Sequence, residues 1–471
     1  MTLSTPLIWV IVPMVVAVVC TLTAERRQLS LIIACVFTFG LALLAAYLPQ
    51  ELILSLGPLT ISIEESLNFF GRKITLVSAM LPMVAFLYGT TGLWLLSSNL
   101  QSVPKSFRPT SLIITAALTA ALGVEPFLYA ALLIETAVLV SVPMITFPVK
   151  SEHSGVLRYL GLMTIAMPFI LIAGWLLTGV VTLPPESPLI GQSAVVLGLG
   201  FAIWLAVFPF HSWVPMVSEH SHPTVFSFLL FILPTGILVF GLNFLNRYGF
   251  LRTSEAIFNI IRLTGVMMIV FGGVSTAVQE ELKRAFGFSI LVETGYSLLA
   301  IGLAASGGLH WMLMMFPVRA LGYWLWGYTL ARLETHYGAS IGLGTIQGAA
   351  RRTPWLSSGL ILAQLSIAGL PLLASFPIKI VLLSQAASES ISLGVWSLFG
   401  SLGLFLFSIR LLLSFYHPSE NENDQIWHVQ EKLPHYAPII IMMVVLMAFG
   451  LFPGKFFTGL IDILTAFPHL Q

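Results

Sequence analysis

At 471 residues the chain has the length of several soluble domains, yet 57% of it is hydrophobic and only 9% is charged, where a soluble protein carries roughly a quarter charged residues. Most of its surface must therefore face lipid. A formal net charge of +1 with no basic tail implies no nucleic-acid partner, and Cys20 and Cys35 sit in apolar runs without metal-ligand spacing, as packing residues do.

The N-terminal LIWVIVPMVVAVVCTL lacks a positive n-region and a small-residue cleavage site, so it reads as a first spanning helix and not as a cleaved signal. Apolar stretches of about 20 residues, enough to cross a ~30 Å hydrocarbon core, then recur to the C-terminus. They fall near 7–24, 29–48, 74–97, 110–124, 126–149, 157–182, 190–208, 224–246, 256–278, 285–305, 308–331, 356–386, 391–416 and 437–461. The hydropathy pattern thus predicts an all-α polytopic membrane protein of about fourteen transmembrane helices. Between the second and third spans, PQELILSLGPLTISIEESLNFFGRK alternates around a Gly-Pro turn and predicts an extracytoplasmic hairpin leading to an interfacial segment. The run SENENDQ, 419–425, predicts a solvated acidic loop.

Two spans are interrupted. The seventh stops at FPFHSWVP, and the twelfth contains AGLPLLASFPIK with Pro371 and Pro377. Proline removes a helix hydrogen bond, and in lipid the freed backbone groups are tolerated only against protein or a water-filled cavity. Broken helices at matching places in two halves point to an ion site. Here the breaks are five spans apart, and an odd number of spans per repeat inverts the second copy.

Ionisable groups deep in spans each cost at least ~2.5–3.5 kcal/mol. Glu135 lies in the fifth span, His211 at the first break, Glu293 in the tenth, Arg319 in the eleventh, Lys379 after the second break and Arg410 in the thirteenth. Together they suit a proton relay along the bundle. Four also have a structural reading: Arg410 as a snorkelling residue, Arg319 as a static partner of Glu293, Lys379 as a helix-break residue and Glu135 as an interhelical contact. His220 and His222 beside Glu219 suit a weak surface metal site or a plain membrane-surface loop equally, and no metal is assigned.

Arg26, Arg27, Lys105, Arg108, Lys150, Lys283 and Arg284 gather on one side of the spans. By the positive-inside rule that side is cytoplasmic, with both termini outside. No GxGxxG follows a strand and no P-loop occurs, so no cofactor, redox centre or ATP site is expected.

FPFHSWVP resembles VPFHxWxPD, EELKRAFGFSILVETGYSLLAIGL resembles DLKRLLAYSSIxHxGY, and LSIAGLPLLASFPIKIVLL resembles AGxPPxAGFxxKxxL. These are elements of the antiporter-like membrane subunits shared by respiratory complex I, related hydrogenases and multisubunit cation/proton antiporters. The resemblance covers nearly the whole chain. It implies two inverted five-helix repeats with discontinuous helices 7 and 12. On that pattern residues 1–109 hold the first three helices and the hairpin, 110–247 the first repeat, 248–418 the second, and 419–471 the acidic loop and helix 14. It also implies proton translocation, with Glu135, Lys379 and His211 matching motif positions. Arg319 stands where some members have lysine, and Arg410 resembles the arginine of a YYLR element.

The departures are specific. Trp204 occupies the place of the family's seventh-span lysine, Pro234 or Thr235 that of the eighth-span lysine, Glu293 that of a histidine and Met216 that of an aspartate. The N-terminal half has lost the basic partners of Glu135, so these are degenerate positions and conduction is expected mainly in the C-terminal half. The resemblance implies a translocase subunit among other membrane subunits of a quinone-oxidoreductase-type complex, in a prokaryotic or organellar energy-transducing inner membrane. Three alternatives stay open: a structural scaffold with a degenerate ion path, an energy-coupling subunit of inorganic-carbon uptake, and a cation/proton antiporter subunit. Mixed acids and bases without an oxygen-rich cage favour H⁺ over Na⁺.

Overall fold

The computed structural model describes residues 2–47, 53–56, 59–64, 66–69, 71–101, 103–146, 154–180, 188–338, 341–417, 429, 431–456 and 458–470. The Gly57–Pro58 turn, Lys150 and the acidic run 419–425 lie outside them. Nine helices among the described residues are long and apolar enough to cross a membrane, among them Pro223–Arg247, Leu282–Gly302 and Ile391–Tyr416. The chain is an integral, multi-pass, helical membrane protein.

It divides into two compact units. Unit 1 comprises 1–206, 232–253 and 462–471, and unit 2 comprises 207–231 and 254–461.

Unit 1 contains α1 (Val12–Leu22), α2 (Arg27–Tyr47), α3 (Leu81–Ser97), α4 (Phe107–Gly123), α5 (Ala130–Ile145), α6 (Ser154–Val180) and α7 (Pro188–Trp204). It also holds two small sheets. β1 (Thr2–Ser4) and β2 (Ile53–Leu56) flank β3 (Leu59–Glu64), with β2 and β3 antiparallel in the register Leu56↔Leu59. The second sheet is β4 (Ser66–Phe69), β5 (Arg72–Thr75) and β6 (Val124–Glu125). The expected hairpin is thus present as β2–β3, and a second small sheet follows it. Backbone pairing with β6 draws β5 into that sheet, so the third helix begins at Leu81 and not near 74.

Unit 2 contains α8 (Trp213–His220), the first part of α9 (Pro223–Arg247), α11 (Glu255–Val278), α12 (Leu282–Gly302), α13 (Gly308–Tyr337), α14 (Pro354–Ala368), α15 (Phe376–Glu389), α16 (Ile391–Tyr416) and α17 (Leu433–Leu451). The short α10 (Gly249–Thr253) belongs to unit 1.

Helix α12 is the axis of unit 2, its membrane-length window wholly buried. Apolar sequence alone drives no association between helices in lipid, so the close packing rests on small residues. A Cβ on Gly273 of α11 would lie 1.9 Å from the Gly400 carbonyl oxygen of α16, and one on Gly295 of α12 would lie 2.7 Å from the Gly265 carbonyl oxygen of α11. Three backbones therefore touch where any larger side chain would separate them.

Both expected interruptions are present. α7 ends at Trp204, four residues before the predicted limit of its span, and a single 3-10 turn (Phe210–Ser212) precedes α8. α14 and α15 are separated by Gly369–Ser375. A non-glycine residue with positive φ marks each break: Ala206 at 54° and Leu372 at 75°.

Candidate functional site

α14 ends at a glycine for a backbone reason. Gly369 has φ +87°, the left-handed conformation that closes many helices and that glycine adopts without a Cβ penalty. Its N–H and that of Leu370 both donate to the Leu365 carbonyl, at 3.0 Å each, and Pro371 blocks further helix. Carbonyls of the last turn are left without helical partners. Side chains beyond the break reach two carbonyls of this turn: Ser375 Oγ donates to the Ser366 carbonyl, which also accepts the Gly369 N–H at 3.1 Å, and Lys379 Nζ donates to the Ile367 carbonyl. The lysine ammonium thus sits at the negative end of the α14 dipole.

Glu293 meets this lysine from α12. Its Oε1 is 2.5 Å from Lys379 Nζ and its Oε2 is 2.8 Å from Arg319 Nε. Arg319, on α13, also donates from Nη2 to the Glu293 backbone carbonyl and from Nη1 to Ser297 Oγ at 2.6 Å. The Lys379 ammonium lies 4.6 Å above the Tyr296 ring, a favourable cation–π contact. Glu293 and Lys379 are 3% exposed and Arg319 7%.

Three ionisable groups buried together carry two positive charges and one negative. Each buried ion costs several kcal/mol of lost hydration unless partners replace water. Here every charge has partners, but the sum is +1, and removal of one proton from Lys379 brings it to zero. A single exchangeable proton therefore decides the net charge of the cluster.

Polar groups continue along α12. Ser289, one turn before Glu293, accepts from Gln364 Nε2 at 3.4 Å, and Gln364 Oε1 accepts from Trp326 Nε1 at 3.1 Å. Near the start of α12, Lys283 pairs with Glu334 at 2.6 Å and also reaches the Ser221 carbonyl. Burial pushes the Glu334 carboxyl up from its ordinary range, against the opposing effect of Lys283.

Arg410 lies apart from this cluster. Its Nη1 donates to the carbonyls of Ala277 and Gln279, at the C-terminal end of α11, where a cation complements the helix dipole. His211, in the 3-10 turn after the first break, stacks on Phe208 (ring centroids 5.5 Å apart) and meets the Phe271 edge at 4.4 Å. Its Nδ1 is buried. The histidines beyond α8 serve local structure: His220 Nδ1 bonds the Met216 carbonyl, and His222 Nδ1 accepts from the Thr224 N–H at 3.3 Å.

In unit 1, Glu135 accepts a 2.7 Å hydrogen bond from Thr164 through Oε1, while its Oε2 is buried with no hydrogen-bond partner among the described residues. Trp204 donates from Nε1 to the Met163 carbonyl at 3.1 Å and packs against Phe201 and Phe240. Trp204 is the last residue of α7 before the first break, and its indole is committed to a neighbouring helix. Pro234 is inside α9, and Thr235 beside it is buried.

Gln364, Tyr296, Ser289 and Arg262 are not among the expected pathway residues. The signal that marks Glu293, a long polar side chain inside a span, also marks Arg262 in 256–278 and Gln364 in 356–386. Tyr296 and Ser289 stand inside FGFSILVETGY, part of the stretch that carries the family resemblance, but as residue types they are ordinary in membrane helices.

Residues 177–407 match the family profile described as NADH:quinone oxidoreductase/Mrp antiporter, TM. NADH-quinone oxidoreductase subunit N of Hydrogenovibrio crunogenus is 24% identical over 278 residues, which cover 58% of this chain and 57% of that protein. The chain spans just over half the length of this curated relative. A chain of the Mrp complex from Dietzia sp. superposes with a TM-score of 0.79 at 17% identity, covering 98% of this chain and 97% of that one. A chain of respiratory complex I from Thermus thermophilus superposes with a TM-score of 0.70 at 20% identity, covering 93% and 96%. These two similarities extend the common fold to almost the full length.

Proposed function

We propose that the chain belongs to the antiporter-like membrane-subunit family of NADH:quinone oxidoreductases and Mrp antiporters, which the match of residues 177–407 supports, and that it is a proton-translocating subunit of a larger, complex I-like membrane complex. Unit 2 carries the conduction. The observation behind this is the buried Glu293–Lys379–Arg319 cluster at a broken helix, whose net charge turns on one proton. Lys379 accepts a proton from one side of the α12 polar row and gives it up to the other, and Glu293 and Arg319 hold it in place between the two steps. Lys283 and Arg284 mark the cytoplasmic end of this row, and both termini lie on the opposite face. The partners are other membrane subunits, and the source of energy is chemistry carried out by them. Two inverted five-helix repeats within fourteen crossings complete the reading.

The transported ion is H⁺. The cluster offers one carboxylate against two basic side chains, a donor set that repels a hard cation needing several oxygen ligands.

In unit 1 the scaffold reading has its own support, because Trp204 and Pro234 offer no titrating group where a lysine is expected. Unit 1 then holds neighbours together while unit 2 conducts. The test is Lys379→Ala in the assembled complex, reconstituted into vesicles with an internal pH dye. Proton uptake should be abolished with a sodium ionophore present or absent; uptake at the normal rate refutes the proposal.

A further inference from the structure

At the end of unit 2 away from Lys283, polar side chains converge from three elements. Arg262 of α11 is 8% exposed, and its Nη1 donates to Glu389 Oε2 of α15 at 2.7 Å. Its Nη2 donates to Asn259 Oδ1. Ser306, beyond the end of α12, donates to Glu389 Oε1 at 3.4 Å, and Gln385 Nε2 donates to the Ser306 carbonyl at 2.7 Å. The arginine is buried while Glu389 is exposed. One carboxylate therefore meets the interior through its buried partner and is itself exposed at the surface.

Three hydroxyl side chains, of which only Tyr296 and Ser401 bond each other, lie between the cluster and this port. Lys379 Nζ lies against the Tyr296 ring, and the Tyr296 hydroxyl is 2.5 Å from Ser401 Oγ. Ser401 bonds the Ser397 carbonyl one turn further toward the start of α16, and Ser397 Oγ is buried without a hydrogen-bond partner. One turn beyond Ser397, Gly394 packs against Ala387 of α15, two residues before Glu389. Gln385 Oε1 and Arg262 Nε are likewise buried without partners. Buried polar atoms in such positions are where ordered water binds, given room and further polar neighbours.

We propose that Glu389 is the proton-release group of unit 2, held by Arg262 and fed from Lys379 through Tyr296, Ser401 and Ser397. The proposal rests on the functional reading above and assigns its outlet. In one passage Lys379 changes from ammonium to amine. Water bridges Lys379 to the Tyr296 hydroxyl, Ser401 to Ser397 Oγ and Ser397 to Glu389; each water and hydroxyl accepts a proton on a lone pair and passes on its own, and Glu389 changes from carboxylate to carboxylic acid. Glu389 then loses that proton to water and closes again on Arg262. Each hydroxyl ends as it began, so one passage moves one proton from Lys379 to the outer face, and Lys379 regains a proton from the opposite end of the α12 row before the next.

The test uses the native complex purified through a tag on this chain, reconstituted into vesicles, with proton transfer and driving turnover measured separately. Glu389→Gln should lower proton transfer about tenfold or more, as loss of a positioned acid–base group does, with the amount of assembled complex unchanged. Glu389→Asp should restore most of it, and Ser397→Ala should lower it and raise its solvent deuterium isotope effect. Normal transfer in Glu389→Gln, alongside a silent Lys379→Ala, overturns this outlet and leaves the function standing. Normal transfer in both overturns the function and the outlet with it. Equal loss in Glu389→Asp and Glu389→Gln also overturns the assignment, because aspartate would still hold and release the proton.

Discussion

Arg319 grips Glu293 at two points: Nε bonds the carboxylate at 2.8 Å, and Nη2 bonds the backbone carbonyl of the same residue. The guanidinium thereby fixes both the side chain and the helix that carries it, and its third bond, to Ser297, fixes the next turn of α12. A lysine at this place has the charge but not the fork. Arg319→Lys should lower stability by about 1–3 kcal/mol, the range for losing a buried hydrogen bond with one group left unpaired. Thermal unfolding of the purified protein measures that loss. Proton transfer should fall with it, because Glu293 loses the bonds that orient it toward Lys379.

Gly369 is constrained twice, by its φ of +87° and by Lys379 Cδ, which would lie 3.2 Å from a new Cβ. Gly369→Ala should cost about 1–2 kcal/mol from the left-handed backbone alone, and should also displace the lysine. Gly344 has nothing within 4 Å of its Cβ position, so Gly344→Ala should leave unfolding temperature and transport unchanged. Equal effects of the two substitutions would show that the tight fit at Gly369 is unimportant.

Trp204→Phe removes the hydrogen bond to Met163 and keeps most of the packing with Phe201 and Phe240. The expected loss is about 1–3 kcal/mol of stability, read by thermal unfolding, with proton transfer still above half of normal. Glu135→Gln should also leave most of the transfer intact. A fall to the level of Lys379→Ala in either variant would mean that unit 1 conducts.

His222 gives unit 2 a specific acid sensitivity. Its Nδ1 accepts the Thr224 N–H at the start of α9, and burial followed by the nearby Lys283 charge pushes its pKa down from 6.5 to about 3. The unfolded chain therefore takes up this proton before the folded one as pH falls. Its contribution to stability is complete above about pH 6.5 and declines until about pH 3. His222→Asn keeps an acceptor for Thr224 but does not titrate. Its unfolding temperature should fall less than that of the natural protein across this window, and parallel curves would refute the assignment.

Much of this was legible in the sequence. Apolar runs of membrane length marked the helices, since hydrocarbon tolerates only backbones that satisfy themselves. Prolines marked both broken helices, since the ring removes a bond wherever it falls. The insertion cost of a charge marked Glu293, Arg319 and Lys379 one at a time. Sheet β4–β5–β6 was not legible, because it needs Val124 and Glu125 to pair with a strand about fifty residues earlier.

What the sequence by itself determined was a multi-pass helical membrane protein with two interrupted helices and a few costly charges. Tertiary structure alone decided which charges meet. Glu293, Arg319 and Lys379 come from three helices and share one buried site, while Arg410, equally deep by sequence, caps the end of α11. Depth in a span depends on position along one helix, which composition and length reveal. Partnership depends on the rotation of each helix and on the glycine contacts that let backbones touch, and both are fixed only when the helices pack. For the same reason Arg262 and Glu389, 127 residues apart, become an ion pair only in the folded chain.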